Sequence, residues 1–318
     1  MKYLFKSKIL FLLLFITTQV FSTGIKNDKT SFFPQNPVEN TLIKHTVDSN
    51  GHPMAVWEKK ADNPKGLILF VHGRTYSSIP DFDLQVEGED LSLMDGMVEQ
   101  GYSTYAVDLR GYGDTPRDLT EWLSPDKAAK DILNVLNWIS AENASKKVHL
   151  FGWSMGSTST LLATQMNAKN IASLTVFGYW QDLDNKIPES PNNIQLEKIV
   201  NTVEHAASDF ITPGSISQKA IDTYVRMALE HDPIKVDWRF FSQFNAIDPS
   251  LITTPVLILQ GEFDPISPTE NQTKLFTRLK TADKSWVVIS GGDHAAFLET
   301  PRKHFIHSFT SFIDRFNE

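Results

Sequence analysis

A serine framed by two glycines at the end of an apolar run is the feature that most constrains the fold of this chain. Residues 148–156 read Val-His-Leu-Phe-Gly-Trp-Ser-Met-Gly, and helix-forming sequence follows at 157–166. Where a β-strand turns sharply into a helix, the residue at the turn is strained, and glycines two positions before and after it remove side chains that would collide. The pattern predicts a nucleophile elbow that presents the hydroxyl of Ser154 at the carboxyl edge of a sheet.

Backbone donors must lie close to such a serine, because negative charge develops during its attack. The apolar run at 66–71 is typical of a buried strand, and it breaks into His-Gly-Arg at 72–74. We expect the backbone N–H group of Arg74, which follows this strand, and that of Met155, which follows the nucleophile, to form an oxyanion hole.

A base and an acid for the serine follow two further apolar runs. The run at 255–260 leads into Gly-Glu-Phe-Asp, which places Asp264 at the tip of a strand. The run at 285–289 ends shortly before His294, which therefore lies in the loop after the last predicted strand. Along the chain the order is Ser154, Asp264, His294.

These motifs, in this order, resemble the α/β-hydrolase superfamily over about residues 41–316. A fourth motif at 108–115, Asp-Leu-Arg-Gly-Tyr-Gly-Asp-Thr, looks like the D-x-R-G-x-G-x-S/T loop of its lipase, lysophospholipase and serine-aminopeptidase-like branch. The resemblance implies an α/β-hydrolase fold, with a mostly parallel eight-stranded sheet, helices on both faces and a helical cap insertion. It also implies a triad in which Ser154 attacks the acyl carbon, His294 takes and returns the proton, and Asp264 orients the imidazole.

Other carboxylates compete with Asp264 for the role of the acid. Two lie close to the chosen acid and base, and two follow the strand predicted at 174–177, where some members of the superfamily place the acid: Glu262, Asp293, Asp182 and Asp184. We retain Asp264 because the superfamily spacing puts the acid three residues after the glycine at 261. His72 is interpreted as a structural residue that bonds to the backbone. No histidine pair has metal-ligand spacing on a predicted helix, so the sequence implies neither a metal nor a cofactor.

Short local signals predict two further elements. Asn50-Gly51, between two strand-like runs, is a hairpin signal that suits an antiparallel start of the sheet. Ser124-Pro125 opens a helix, with the serine as N-cap and the proline at the first helical position.

About seventy residues separate the strand at 174–177 from the strand at 255–260, too many for a plain connection. The superfamily inserts its cap here, and we expect the cap at about 179–250. Apolar residues recur at helical spacing near 196–203 and 221–228, which predicts two amphipathic helices. Of the cap aromatics, we expect Trp180, Trp238 and Phe241 to line an apolar acyl pocket; the alternative for each of these three is that it packs the cap onto the core. Tyr76, in the long loop at 75–89, is expected to form part of the pocket entrance.

The amino terminus is typical of a secretory signal peptide. Three lysines precede an apolar stretch at 9–16, polar residues follow, and Val-Phe-Ser at 20–22 offers a cleavage site. The alternative is an uncleaved anchor, but the apolar core is far shorter than the roughly 20 residues that a spanning helix needs. We expect residues 1–22 to be removed, 23–39 to form a polar lead-in to a hydrolase domain at 40–318, and the protein to be exported, periplasmic or secreted, with no integral membrane span.

Charge and cysteine content narrow the possible partners. The whole chain carries 30 basic and 38 acidic residues, and removal of the predicted signal peptide would leave 27 basic against 38 acidic. A protein of that charge has no electrostatic attraction to nucleic acid or to anionic membranes. The chain has no cysteine, so it can form no disulfide and carries no lipobox cysteine for acylation.

The sequence therefore predicts an exported serine hydrolase that cleaves small-molecule acyl esters through an acyl-serine intermediate, resembling carboxylesterases and lysophospholipases. A peptidase or amidase of the same fold is one alternative, and it would need cap acids to hold a substrate ammonium. The acids available for that role are Glu189, Glu197, Glu204 and Asp209. A non-catalytic binding protein is another alternative, although such a scaffold has no chemical reason to keep a complete triad. A haloalkane dehalogenase is disfavoured because it would need Asp in place of Ser154.

Overall fold

The computed structural model of the protein describes residues 41–189, 191 and 198–317. The signal peptide predicted at 1–22 and the lead-in predicted at 23–39 lie outside these residues. Within the described ranges, no helix combines the length and the apolar composition needed to cross a membrane.

Ten strands occur in the described part of the chain. They are β1 (Ile43–Ser49), β2 (His52–Lys59), β3 (Gly66–Val71), β4 (Tyr102–Val107), β5 (Trp122–Leu123), β6 (Val148–Trp153), β7 (Ile171–Phe177), β8 (Asp237–Trp238), β9 (Val256–Gly261) and β10 (Lys284–Ile289). Eight of them form one sheet in the order β1-β2-β4-β3-β6-β7-β9-β10, and β5 pairs with β8 in a separate ribbon. Within this sheet β2 alone runs opposite to the other seven strands, so the sheet is mixed but mostly parallel, as predicted.

Eight α-helices and three short 3₁₀ helices accompany these strands in the described residues. They are α1 (Ser78–Phe82), α2 (Leu93–Glu99), α3 (Pro125–Glu142), α4 (Met155–Met166), α5 (Val203–Ala207), α6 (Gln218–His231), α7 (Thr269–Arg278), α8 (Arg302–Ile313), η1 (Phe241–Ala246), η2 (Pro249–Leu251) and η3 (Asp314–Phe316). Helix α3 confirms the predicted start: the side chain of Ser124 accepts a hydrogen bond from the backbone N–H of Lys127, and Pro125 is the first helical residue.

The hairpin between β1 and β2 turns where the sequence predicts. Asn50 and Gly51 have φ angles of 54° and 83°. A two-residue hairpin turn of this kind needs positive φ at both positions, which asparagine and glycine tolerate best.

Strand β3 shows how the sheet is covered on both faces. All six of its residues are buried, as is typical of parallel strands between two layers of helices. Because side chains alternate along a strand, Leu67 and Leu69 pack in one core cluster with α3 and α4. Ile68 and Phe70 pack in a second cluster with α2 and α8. Helices on both faces of the sheet thus hold β3, and with it the loop at its carboxyl end, in a fixed position.

The long connection between β7 and β9 contains α5, α6, β8, η1 and η2. The helical spacing near 221–228 predicted α6 correctly, since Tyr224, Val225 and Ala228 are among its buried residues. The helix predicted near 196–203 is wrong where the structure can be compared. Val200 pairs with Ile234 in an isolated β-bridge, and α5 begins only at Val203. In the described part of this segment, the apolar side chains of Ile199, Val200 and Val203 are exposed, so they give a helix no packed face to stabilise it.

Candidate active site

The elbow between β6 and α4 places Ser154 in a strained conformation. Its φ is 54° and its ψ is −118°, a combination that non-glycine residues rarely adopt. The flanking glycines are required by space: a Cβ on Gly152 would lie 2.3 Å from the carbonyl oxygen of Gly156, and one on Gly156 would lie 2.3 Å from that of Val71. The backbone N–H of Ser154 also donates to the carbonyl of Phe177 at 2.9 Å, which ties the elbow to β7.

Asp264 and His294 form a buried pair. The Asp264 Oδ2 atom lies 2.7 Å from Nδ1 of His294. Asp264 also accepts hydrogen bonds from the N–H of Ile266 at 2.9 Å and from the hydroxyl of Ser267 at 2.7 Å. Burial opposes ionisation, but the hydrogen bonds, that from His294 first, outweigh it and hold the pKa of Asp264 below its usual value. A carboxylate that stays ionised at neutral pH can fix the imidazole with its Nδ1–H towards Asp264 and Nε2 free to act as a base.

Two contacts bring the His294 loop to the nucleophile. The indole N–H of Trp153, directly before Ser154, donates to the carbonyl of His294 at 2.7 Å. Gly178, directly after β7, has a φ of 67°, and a Cβ on it would lie 2.7 Å from Cε1 of His294 and 3.5 Å from the backbone nitrogen of Ser154. The imidazole therefore packs against the bare backbone of Gly178, a residue that our sequence reasoning did not single out.

His72 holds the loop that carries the expected oxyanion donor. Its Nε2 accepts from the backbone N–H of Leu109 at 3.0 Å, so its Nδ1 carries the proton and donates to the carbonyl of Gly73 at 2.8 Å. Burial lowers the pKa of His72 to about 4, which keeps the ring neutral. In a trans peptide the C=O and the following N–H point in opposite directions, so this bond directs the N–H of Arg74 away from His72. The placement supports a structural role for His72.

Arg74 and Met155 both line a cavity of about 680 Å³ that Ser154 and His294 also line. The carbonyl of Arg74 accepts a hydrogen bond from the hydroxyl of Tyr112. Both residues therefore lie beside the cavity that holds the serine, and the hydrogen bond from Tyr112 fixes the backbone of Arg74, as an oxyanion hole would require.

Three of the four aromatic residues expected in the pocket reach the cavity wall: Tyr76, Trp180 and Phe241. The structure does not place Trp238 there. Its indole N–H donates to the hydroxyl of Tyr112 at 2.7 Å, and its ring stacks on Phe241 at 6.1 Å. Trp238 therefore packs behind Phe241, which lines the cavity, and its indole N–H finds its hydrogen-bond partner inside the core.

The rival carboxylates are occupied elsewhere. They are Asp182, Asp184, Glu262 and Asp293. Asp182 and Asp184 form ion pairs with Lys274 at 2.5 and 3.1 Å. Glu262 accepts a hydrogen bond from the backbone N–H of Gly291 at 2.8 Å. Asp293 accepts hydrogen bonds from the backbone N–H groups of Thr212 and Ala295.

The cavity also has a polar wall, most of which the sequence did not reveal. It consists of Tyr76, Asp81, His205, Ser208, Asp209 and Tyr224. Asp209 was singled out as a cap acid, but Asp81 on the short helix α1 was not. The hydroxyl of Tyr224 lies 2.9 Å from Oδ1 of Asp81 and 3.3 Å from Oδ2 of Asp209. In the part of the chain that the structure describes, no group of side chains is arranged to hold a metal ion.

Comparison with known proteins gives a match to one family model and to one curated relative. The family model described as serine aminopeptidase, S33, matches residues 62–301, about three quarters of the chain. Lysophosphatidylserine lipase ABHD12 of Xenopus tropicalis is 27% identical over 258 residues, which are 79% of this chain and 58% of that protein. The chain thus spans little more than half the length of this relative.

Solved structures confirm the predicted α/β-hydrolase fold. A membrane phospholipase A, described as a novel bacterial virulence factor, and the esterase EaEST from Exiguobacterium antarcticum each match with a TM-score of 0.60 at 17% identity. Each match covers 86% of this chain, with 86% of the phospholipase and 100% of the esterase. Likeness at such low identity shows the shared fold alone.

Proposed function

We propose that this chain, which belongs to the serine aminopeptidase S33 family of hydrolases, cleaves carboxylic esters through an acyl intermediate on Ser154. The single observation that carries the proposal is the 2.7 Å pair of Asp264 and His294, which stands beside a serine strained at an elbow. A nucleophile, a base and an oriented carboxylate on three different loops form the arrangement that serine hydrolases use.

The proposed reaction follows from these positions. Nε2 of His294 takes the hydroxyl proton of Ser154 while the serine oxygen attacks the ester carbonyl carbon. The backbone N–H groups of Arg74 and Met155 stabilise the oxyanion. Collapse of the tetrahedral intermediate breaks the bond to the alcohol oxygen, which takes the proton from His294. Water then attacks the acyl-serine by the same proton transfers and releases the acid, while the ionised Asp264 stabilises the imidazolium.

An apolar part of the cavity wall supports an acyl chain as the acid component. Trp180, Ile187 and Phe241 line it, and burial of each methylene of a chain contributes about 0.8 kcal/mol. The names of one relative, a lysophosphatidylserine lipase, and of two structural neighbours, a phospholipase A and an esterase, agree with a carboxylesterase or lysophospholipase-like activity here. A peptidase or amidase of the same fold is the alternative.

Export is also part of the proposal and rests on the amino-terminal sequence alone. Three lysines, an apolar core and a Val-Phe-Ser cleavage site at 20–22 are the parts of a signal peptide. Fractionation of cells that express the full chain, with amino-terminal sequencing of the product, tests it. A cytoplasmic protein that retains its first residues would contradict it.

The activity is tested with p-nitrophenyl esters and aminoacyl p-nitroanilides on the full chain. We expect Ser154→Ala to lower kcat by at least about 10⁴-fold, whereas Ser250→Ala, which changes an exposed serine on η2, keeps the parent rate. Ester hydrolysis that survives in Ser154→Ala would contradict the proposal. Faster cleavage of the anilides than of any ester would favour the peptidase alternative.

A further inference from the structure

A carboxyl group from the long connection between β7 and β9, the expected cap, contacts the loop that carries the expected oxyanion donor. Asp232 directly follows α6, and its side chain is buried. Its Oδ2 atom accepts a hydrogen bond from the backbone N–H of Ser77 at 2.7 Å, and its Oδ1 atom accepts one from that of Gly113 at 2.9 Å. Ser77 belongs to the loop at 72–78, here called the oxyanion loop, and Gly113 to the loop at 108–115, here called the motif loop.

A second carboxyl group holds the same two loops together from the end of β4. Oδ1 of Asp108 accepts a hydrogen bond from the backbone N–H of Ser78 at 3.0 Å, and its Oδ2 accepts one from that of Asp114 at 3.1 Å. Ser78 and Asp114 directly follow Ser77 and Gly113 in the sequence. Consecutive N–H groups of each loop therefore bind two carboxyl groups, one at the end of β4 and one from the cap.

Both loops lead to the backbone of Arg74. Ser77 lies three residues after Arg74 in the oxyanion loop. Tyr112, directly before Gly113 in the motif loop, donates its hydroxyl proton to the carbonyl of Arg74. Asp232 thus holds the chain close to Arg74 in one loop and close to its hydrogen-bond partner in the other. A shift of Ser77 or Gly113 would displace the peptide that carries the Arg74 N–H, because few backbone bonds lie between them.

We propose that Asp232 is a positioning residue, which acts from the cap through the oxyanion loop and the motif loop to hold the N–H group of Arg74 in the oxyanion hole. The inference rests on the proposed function, because only attack on a carbonyl group gives that N–H a negative charge to stabilise. Asp108 still holds the neighbouring N–H groups when the bonds to Asp232 are lost. The loops should then remain folded while the donor loses its alignment.

The two hydrogen bonds depend on the charge of Asp232. An ionised carboxylate accepts on both oxygens, whereas a protonated carboxyl or an amide has a donor at one of the two positions. Burial raises the pKa of Asp232 to about 7; the hydrogen bonds from Gly113 and Ser77 oppose this rise, and the charge of Asp108 adds to it. Burial also raises the pKa of the other titratable neighbours, which favours their neutral forms: Tyr76, Asp81 and Tyr112. The charge of Asp232 therefore changes between pH 6 and pH 8.

Kinetics of Asp232→Asn with p-nitrophenyl butyrate test the proposal. At pH 8 we expect kcat to fall by about 10- to 100-fold, because a misaligned oxyanion donor loses much of its effect, while KM changes by less than about threefold. Asp222→Asn, which changes an exposed acid on the same helix, should keep the parent kcat. The ratio of parent kcat to Asp232→Asn kcat should shrink at least about threefold from pH 8 to pH 6, because Asp232 becomes protonated in the parent alone. The titration of the catalytic histidine is common to both proteins and cancels in this ratio.

A transition-state analogue tests the oxyanion hole without turnover. n-Butylboronic acid forms a tetrahedral adduct with an activated serine, and its dissociation constant, measured by calorimetry, should rise in Asp232→Asn by about the factor by which kcat falls. Asp232→Ser replaces Asp232→Asn if that protein does not fold. A folded Asp232 variant with parent kcat and parent boronate affinity, or a kcat ratio that does not change with pH, would overturn the positioning role. If the parent hydrolyses no ester but binds the boronic acid more tightly than the variant does, the positioning role stands and the proposed esterase function fails.

Discussion

Gly178 packs against His294, the proposed catalytic base, and replacing Gly178 by alanine tests directly whether this contact sets the position of the imidazole. The added Cβ would lie 2.7 Å from Cε1 and 3.1 Å from Nδ1 of His294, well inside the ordinary contact distance of about 3.5 Å. The imidazole would have to move by roughly 0.5–1 Å, and a misplacement of about 1 Å costs on the order of 100-fold in rate. The positive φ of 67° adds about 1 kcal/mol of backbone strain for alanine.

A matched control separates the two effects. Gly51 in the first hairpin has a φ of 83°, and a Cβ there would meet nothing within 4 Å. Both variants should therefore lose about 1 kcal/mol of unfolding free energy, measured by urea denaturation, but only Gly178→Ala should lower kcat, measured with p-nitrophenyl butyrate. A folded Gly178→Ala protein with kcat within about threefold of Gly51→Ala would refute the reasoning, because the contact with His294 would then have no catalytic consequence.

Three further predictions concern the site and the residues that pack beside it. Asp264→Asn should leave the thermal melt nearly unchanged and lower kcat on the order of 10⁴-fold, as the corresponding change does in serine proteases; the same loss in Asp182→Asn would show that the acid is misplaced. For p-nitrophenyl esters, kcat/KM should rise from acetate to hexanoate by up to about fourfold per methylene, and Phe241→Ala should flatten the rise while Trp238→Phe, behind the wall, should not. Burial raises the pKa of Glu299 to about 7, so its folded pKa lies above its unfolded one and the stability it contributes below about pH 4.5 is lost as the pH rises through about 7. The unfolding free energy of Glu299→Gln minus that of the parent, measured by urea denaturation, should accordingly be about 2 kcal/mol larger at pH 8 than at pH 5. A difference that does not change with pH would contradict the pKa shift.

The parts of the fold and site that the sequence predicts are those whose geometry depends on a few neighbouring residues. The elbow needs Gly152 and Gly156 because backbone atoms occupy the space of their side chains. The first hairpin needs Asn50 and Gly51 because both have positive φ. Such requirements are visible in a short stretch of sequence, and the order of the motifs along the chain then determines which strand ends meet.

The parts that the sequence does not predict depend on contacts between distant segments. In the sequence, Asp81 cannot be told from any other acid in a long loop. In the structure it lies on α1, within hydrogen-bond distance of Tyr224 on α6, which is more than a hundred residues away in the sequence. Trp238 is a large aromatic residue of the kind that lines apolar pockets, but its indole N–H donates to the hydroxyl of Tyr112 and its side chain is buried in the core. The apolar pattern around Val200 suggested a helix, but Ile199, Val200 and Val203 are exposed to solvent. In each case tertiary contacts decide the outcome and local propensity does not.

The central claim is that Ser154 is the activated nucleophile of this cavity, and covalent labelling tests it most directly. A fluorophosphonate reacts only with a serine whose base and oxyanion donors are in place. After incubation of the full chain with the probe, mass spectrometry of proteolytic peptides should locate one adduct per chain on Ser154, with none in Ser154→Ala and strongly slowed labelling in Asp264→Asn. An adduct on any other residue, or a Ser154→Ala protein that still forms one, would contradict the claim.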